Sequence, residues 1–211
     1  MLFKNTINTS SLELLKGLQS EKPLKDFYLA GGTSLALQIG HRKSIDLDLF
    51  TQSDFNLDQL LEFLEQKYDL LTDYTSKNTI RGSINNIKVD FISHKYPMVK
   101  DPVIENSLKL FSVEDIAAMK QNAIAGDGTR SKDFIDLYFI LKSYTVDKIL
   151  DFYKIKYSKR NLFHVIKSII YFDDISTQDW PDLLIEKNLT IEQVTGTIEK
   201  KVNDFLKQQK L

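Results

Sequence analysis

The sequence of 211 residues predicts an N-terminal half of α/β or α+β class, followed by a C-terminal half that is a bundle of helices. Two observations support this division. Before residue 111, short apolar runs typical of strands are interleaved with helical patterns. From Ser112 onward, each periodic segment has the spacing of a helix. We therefore expect two domains, covering residues 1–111 and 112–211.

The N-terminal half is predicted to combine three helices with a small sheet. Ser10 and Ser11 are expected to cap the first helix, and Asn56 is expected to cap the third, over residues 57–68. Asn85 and Asn86 predict a hairpin turn, because Asn tolerates positive φ. The other expected elements are a strand over 27–30, a helix opening at Thr33 and Ser34 and ending near Gly40, and strands over 45–50, 70–74, 79–84, 87–92 and 108–111.

The C-terminal half begins with a helix-capping signal. Ser112 is suited to the N-cap position, and Glu114 and Asp115 place acidic charge in the first turn. We expect helices over about 113–125, 131–143, 146–156, 160–172 and 190–208.

The composition excludes several classes of function. The chain has no cysteine, which excludes a disulfide framework, a thiolate zinc site and a cysteine nucleophile. Its 28 basic and 29 acidic residues give a net charge of −1, which excludes a globally basic nucleic-acid-binding surface. No apolar run reaches the roughly 20 residues of a membrane helix, and the N-terminus does not resemble a signal peptide. We therefore expect a cytoplasmic protein without membrane contact.

Three aspartates are candidate metal ligands. In a strand over Ile45–Phe50, alternation places Ile45, Leu47 and Leu49 on the core face, so Asp46 and Asp48 share the opposite face. Two like charges at that distance repel each other unless a cation lies between them.

Asp90 is the third of these aspartates and lies opposite the core face of the later strand Ile87–Ile92. If the two strands are neighbours, three carboxylates converge, and this arrangement can hold two Mg²⁺ ions for phosphoryl transfer, with Mn²⁺ as an alternative. A solvated strand face is the other interpretation.

A glycine turn precedes the aspartates. Gly31 and Gly32 lie between a strand and a helix, where glycine lets the backbone approach a ligand closely. The helix N-terminus offers free N–H groups to phosphate, and Thr33 and Ser34 add hydroxyl donors. The alternative is an ordinary tight turn with an N-cap.

These motifs together resemble those of the AbiEii/AbiGii toxin family. Leu29–Leu37 and Gly40–Phe50 are similar to its first motif, and Lys88–Phe91 is similar to its second. The family consists of nucleotidyltransferases of the DNA polymerase β superfold, usually the toxins of type IV toxin–antitoxin or abortive-infection systems. The resemblance implies a polymerase-β-like fold with a small mixed sheet flanked by helices. It also includes Arg42, which it implies is a phosphate ligand; a surface ion pair is the alternative.

A downstream block of charged residues resembles the family pattern of a lysine followed by Arg-x-Lys-Asp-x-x-Asp. The resemblance assigns Lys120, Arg130 and Lys132 to triphosphate binding or transition-state charge. It implies that Asp136, and less directly Asp133, positions or deprotonates the acceptor or orients Lys120. An inter-helix salt-bridge network is the alternative.

The implied activity is metal-dependent transfer of NMP from an NTP to an acceptor hydroxyl. The resemblance points to RNA, with tRNA ends as the leading acceptor, and to a cognate antitoxin as a partner. The alternatives are a non-catalytic NTP-binding regulatory subunit, and nucleotidylation of a protein or small molecule.

One further segment could contact nucleic acid. Between Lys142 and Lys167 the sequence has seven basic residues and two acidic ones, interleaved with aromatic residues. Phosphate contacts combined with stacking would suit RNA. A solvated bundle face with aromatic residues in the core is the alternative. The aromatic residues are Tyr144, Phe152, Tyr153, Tyr157 and Phe163.

Overall fold

A computed structural model describes residues 1–209, which divide into two compact units. Unit 1 comprises Met1–Pro97 and Asp101–Phe111, and unit 2 comprises Met98–Lys100 and the described residues from Ser112 onward. No helix among residues 1–209 is long and apolar enough to cross a membrane.

Unit 1 is built on a mixed sheet of seven strands. Its elements in chain order are α1 (Thr9–Ser20), β1 (Tyr28–Leu29), α2 (Gly31–Ile39), β2 (Leu47–Thr51), α3 (Leu57–Tyr68), β3 (Leu71–Ser76), β4 (Thr79–Ile84), β5 (Ile87–Ser93), β6 (Val103–Glu105) and β7 (Leu108–Leu110). The strand order is β3-β4-β5-β2-β1-β7-β6. The pairs β2–β5 and β1–β7 are parallel and the other neighbours are antiparallel.

One face of this sheet forms the core of unit 1. Leu47 and Leu49 of β2, together with Val89 and Phe91 of β5, are fully buried in one cluster with leucines of α1 and α3. Because side chains alternate along a strand, Asp48 and Asp90 lie on the opposite face.

The hairpin between β4 and β5 forms as the sequence predicts. Asn85 and Asn86 have φ values of 51° and 62°, and Ile84 pairs with Ile87 across the turn. A two-residue loop of this kind fixes the register of the whole β4–β5 pair.

Two predictions for unit 1 are wrong at element ends. Asn8, not Ser10 or Ser11, caps α1, because its side chain accepts a hydrogen bond of 2.7 Å from the Ser11 N–H. Ile45 is 54% exposed and lies outside β2, so it is not a core residue.

Two further boundaries differ. Helix α2 begins at Gly31 rather than at Thr33, and the short strand β6, which the sequence pattern did not indicate, pairs with β7 at the sheet edge.

Unit 2 contains helices from α4 onward. They are α4 (Val113–Gly126), α5 (Ser131–Ser143), α6 (Val146–Lys156), α7 (Leu162–Ser168) and α8 (Ile191–Gln208). Ser112 caps α4 as predicted, through a hydrogen bond from the Asp115 N–H to its hydroxyl. Helix α7 is shorter than the predicted 160–172, because Asn161 caps its start and turns replace the helix after Ser168.

A buried ion pair holds the start of unit 2 together. The Lys156 ammonium lies 2.7 Å from Asp115 Oδ1, and both side chains are fully buried. Asp115 also accepts hydrogen bonds from the backbone N–H groups of Val99 and Lys100 and from the Ser112 hydroxyl. Burial lowers the pKa of Lys156, and the adjacent Asp115 opposes that shift.

We expect Asp115→Ala to lower the free energy of unfolding by about 3–5 kcal/mol, because it removes the carboxylate that balances a buried ammonium. Lys156→Met should cost less, since Asp115 keeps three other hydrogen-bond donors. Urea unfolding followed by circular dichroism measures both changes. An equal or larger loss in Lys156→Met would show that Asp115 is not the centre of this network.

Candidate functional site

Two aspartates lie side by side on the polar face of the unit 1 sheet. Asp48 of β2 and Asp90 of β5 are direct partners in the parallel register, so their side chains leave the same face. Neighbouring strands are about 4.8 Å apart, and like charges at that separation destabilise the sheet. The pair therefore requires a source of positive charge.

Asp90 is the more buried of the two carboxylates. It is 8% exposed, and its Oδ1 atom has no hydrogen-bond partner. Burial raises the pKa of Asp90; the positive charges of Lys88 and Arg81 oppose the shift, and the negative charges of Asp46 and Asp73 reinforce it. An ionised Asp90 is thus unfavourable in the protein alone, and a bound cation would relieve that cost.

Arg81 is a site residue that the sequence analysis missed. It is the antiparallel partner of Asp90 on β4, and its Nε atom lies 3.4 Å from Asp90 Oδ2. The two-residue turn at Asn85 and Asn86 was the available signal, because it places residue 81 opposite residue 90. Lys88 lies two residues before Asp90 on β5, so the two side chains leave the same face of the sheet.

Gly31 allows the start of α2 to approach Asp48. Its φ is +65°, and a Cβ atom there would lie 2.0 Å from Asp48 Oδ2. The Ala30 N–H donates to the Asp48 carbonyl at 2.7 Å, which joins the helix start to β2. No side chain caps α2, and first-turn amides lack intrahelical acceptors, so this terminus offers N–H groups to an anion beside the carboxylates.

The hydroxyls of Thr33 and Ser34, predicted as phosphate donors, lie within hydrogen-bonding distance of other groups of the protein. Thr33 Oγ1 donates to the Asp46 carbonyl at 2.5 Å and lies 2.8 Å from Ser44 Oγ. Ser34 is fully buried, and its hydroxyl lies 3.4 Å from the Phe111 carbonyl. Both hydroxyls therefore have partners within the protein. They position the segment that leads into β2, while Gly31 and Gly32 remain at the helix start.

Asp46 is exposed and precedes β2. Among residues 1–209, no three His, Cys, Asp or Glu side chains are grouped closely enough to hold a metal ion. Asp48 and Asp90 are register partners, and the negative charge of Asp46 helps to raise the pKa of Asp90. The assignment of Asp46, Asp48 and Asp90 as metal ligands stays a prediction. The oxygen donors of the pair, one of them a buried atom without a partner, fit a divalent cation of the Mg²⁺ type.

Arg42 is 3% exposed, and its Nη1 atom donates to the Lys43 carbonyl at 3.0 Å. This burial suits a side chain that supports the chain before β2 better than one that contacts phosphate directly.

The downstream residues form a buried cluster within unit 2. The Lys120 ammonium lies 2.6 Å from both Asp133 Oδ1 and Asp136 Oδ2, and all three side chains are buried. The Oδ2 atom of Asp133 has no hydrogen-bond partner. Arg130 is exposed at the N-cap of α5, and Lys132 is half-buried in its first turn. The inter-helix salt bridge that the sequence left open is therefore present.

The comparisons with known proteins agree with these motifs. Residues 13–209 match the family described as nucleotidyl transferase AbiEii toxin of type IV TA systems. The chain is also 32% identical over 203 residues to the uncharacterized protein aq_aa25 of Aquifex aeolicus (strain VF5), covering 92% of this chain and 95% of that protein. The chain belongs to the AbiEii family. It is accordingly a nucleotidyltransferase, as the resemblance implied.

Three solved structures are similar to this AbiEii-family chain to different degrees. A candidate nucleotidyltransferase from H. pylori has a TM-score of 0.55 and 16% identity, covering 95% of each chain. JHP933 from Helicobacter pylori has a TM-score of 0.45 and 14% identity, covering 96% of this chain and 99% of that one. The Megavirus polyadenylate synthase has a TM-score of 0.46 and 15% identity, covering 64% of this chain and 32% of that one. The first of these confirms the predicted α+β nucleotidyltransferase fold.

We expect Gly31→Ala to disrupt the site of this AbiEii-family chain. The added Cβ would collide with Asp48 Oδ2 and would force a residue with a side chain into positive φ, at a cost of roughly 1–3 kcal/mol. Gly196→Ala in α8 is the matched control, because its Cβ meets no atom within 4 Å and a helical Gly→Ala change stabilises by up to about 1 kcal/mol. Thermal unfolding measures both. Equal stability of the two variants would contradict the close approach of Gly31 to Asp48.

Asp90→Asn should stabilise the metal-free protein at neutral pH. The raised pKa of Asp90 means that the native state holds its proton more tightly than the unfolded state, so wild-type stability falls as pH rises through the raised value. Asparagine does not titrate, so the stability of Asp90→Asn relative to the wild type increases as pH rises through the raised pKa of Asp90. At higher pH this difference is constant. Melting curves in EDTA across pH 4–8 measure this difference. A variant that is less stable than the wild type throughout would contradict the charge balance described for Asp90.

Proposed function

We propose that this chain transfers a nucleoside monophosphate from an NTP to a hydroxyl of an RNA acceptor in the cytoplasm, with the end of a tRNA as the leading candidate. The observation that carries the proposal is the register pairing of Asp48 with Asp90 beside the N-terminus of α2. Carboxylates next to a phosphate-binding helix start are the elements that nucleotidyl transfer requires.

In this proposal, Asp48 and Asp90 hold a divalent cation together with the phosphates of the nucleotide, which is the usual coordination of Mg²⁺. Mn²⁺ is the alternative. When bound, the cation would neutralise the phosphates and the two carboxylates. Asp46 adds negative charge at the entrance of β2, and its charge already contributes to the raised pKa of Asp90.

The residues of the chain bind and orient the reactants. The backbone amides of Gly31 and Gly32 bind phosphate oxygens of the NTP. The acceptor oxygen attacks the α-phosphorus, the bond to the bridging oxygen breaks, and pyrophosphate leaves while the hydroxyl proton passes to solvent. Such catalysis consists mainly of positioning and charge stabilisation.

The unit 2 cluster enters the proposal as a positioning network. Lys120, held by Asp133 and Asp136, fixes the packing of α4 against α5. Arg130 and Lys132 at the start of α5 are proposed phosphate ligands on the family resemblance; Arg130 is exposed and Lys132 is half-buried.

The proposed biological role is that of a toxin. The family's description as a toxin of type IV TA systems supports the proposal that this chain acts as a toxin and has a cognate antitoxin as partner. The competing interpretation is that the same chemistry has a protein or a small hydroxylated molecule as its acceptor.

The test is transfer of label from each of four α-labelled NTPs to total cellular RNA, with Mg²⁺ present. We expect a labelled tRNA-sized product, and we expect Asp48→Ala to lower the rate by about 100-fold or more, because it removes half of the carboxylate pair. Asp101→Ala, an exposed aspartate of unit 1, is the matched control and should retain the wild-type rate.

Two other outcomes of this experiment would change or refute the proposal. Label on protein or on a small molecule, with none on RNA, would replace the proposed acceptor while retaining the chemistry. Full activity in a folded Asp48→Ala variant would refute the assigned site.

A further inference from the structure

The connection between α6 and α7 carries a basic surface with an exposed aromatic ring. We define this basic corner as Lys159, Arg160, Phe163 and Lys167, all of which are exposed. From Phe152 to Phe172 the sequence contains no acidic residue. In a chain of net charge −1, such a segment is a local concentration of positive charge.

The structure separates the aromatic residues of this segment into two groups. Tyr153 and Tyr157 are each 2% exposed and belong to the core of unit 2. Phe163 is 63% exposed. The interpretation of a solvated face with core aromatics is thus right for the two tyrosines and wrong for Phe163.

The position of the Phe163 ring is defined by contacts on both sides. The Asn161 side chain accepts hydrogen bonds from the N–H groups of Phe163 and His164, which fixes the start of α7 directly after Lys159 and Arg160. Lys167 lies one helical turn further, with its ammonium 4.5 Å from the centroid of the Phe163 ring. The ring is therefore exposed to solvent beside the Lys167 ammonium, in a segment that also carries Lys159 and Arg160.

We propose that the basic corner binds single-stranded RNA, with Phe163 stacking on a base and Lys159, Arg160 and Lys167 contacting phosphates. This inference rests on the proposed function, for which it names a binding surface of the RNA acceptor. Cations alone would suit any polyanion, including an acidic protein. The exposed ring favours nucleic acid, because single-strand binding combines a basic surface with aromatic stacking.

Binding is measured by fluorescence anisotropy with a labelled single-stranded RNA at several salt concentrations. We expect Phe163→Ala to weaken binding roughly 5- to 150-fold, the range for loss of one stacked base, and Phe163→Trp to restore it. Lys159→Gln/Arg160→Gln should reduce the slope of log K against log salt by about 1.4, because each phosphate contact contributes about 0.7. Melting temperatures verify that these exposed variants are folded.

Lys200→Gln/Lys207→Gln on α8 is the matched control, since both lysines are exposed and lie outside the corner; it should keep the slope of the wild type. Heparin, a polyanion without bases, should bind Phe163→Ala as well as it binds the wild type. Wild-type RNA affinity in both Phe163→Ala and the corner double variant would overturn the inference. Equal losses of affinity for RNA and for heparin in Phe163→Ala would also overturn the inference, because the surface would then recognise its partner by charge alone.

Asp48→Ala separates this inference from the proposed function. Because Asp48 is not one of the residues of the basic corner, we expect this variant to bind RNA with wild-type affinity while transfer is lost. RNA binding through the corner with no nucleotidyl transfer in the wild type would refute the proposed function alone. If the variants of the basic corner kept both wild-type nucleotidyl transfer and wild-type RNA affinity, the inference about the corner would be refuted and the proposed function would stand.

Discussion

The pairing of Asp48 with Asp90 on adjacent parallel strands is the constraint on which the site in unit 1 depends. Their strands are paired in parallel by the buried residues of the core face, so the two residues stay adjacent as long as the sheet register is kept. Arg81 on the next strand supplies part of the required positive charge. The N-terminus of α2 supplies more, because Gly31 lets it lie against Asp48. The unpartnered Oδ1 atom of Asp90 shows where this compensation remains incomplete.

The segment before β2 illustrates how the site is kept in place. Thr33 anchors the Asp46 carbonyl and Ser44, so the first turn of α2 and the entrance to β2 form one hydrogen-bonded unit. Strain or charge in a functional site lowers the stability of the protein, and the rigid elements around the site offset that loss. In unit 1 the cost lies in the buried carboxylate of Asp90, while the apolar face of the sheet and its helices provide the stability.

Sequence patterns were sufficient for the features that depend on local periodicity. Alternation along β2 and β5 placed Asp48 and Asp90 on one face, and the paired asparagines predicted the hairpin. The other features depend on contacts between residues far apart in the chain. The segment before β2 is held by the hydrogen bond from Thr33 to the carbonyl of Asp46, 13 residues later, and the burial of Lys156 depends on its pairing with Asp115, 41 residues earlier. No local pattern encodes such partners.

Cation binding by the Asp48–Asp90 pair is the most direct test of this account. Mn²⁺ binding can be followed by electron paramagnetic resonance, with and without a non-hydrolysable NTP analogue. The account predicts that the wild type and Asp101→Asn bind Mn²⁺ in the presence of the analogue, and that Asp48→Asn and Asp90→Asn, both folded, do not. Undiminished Mn²⁺ binding in both site variants would contradict it.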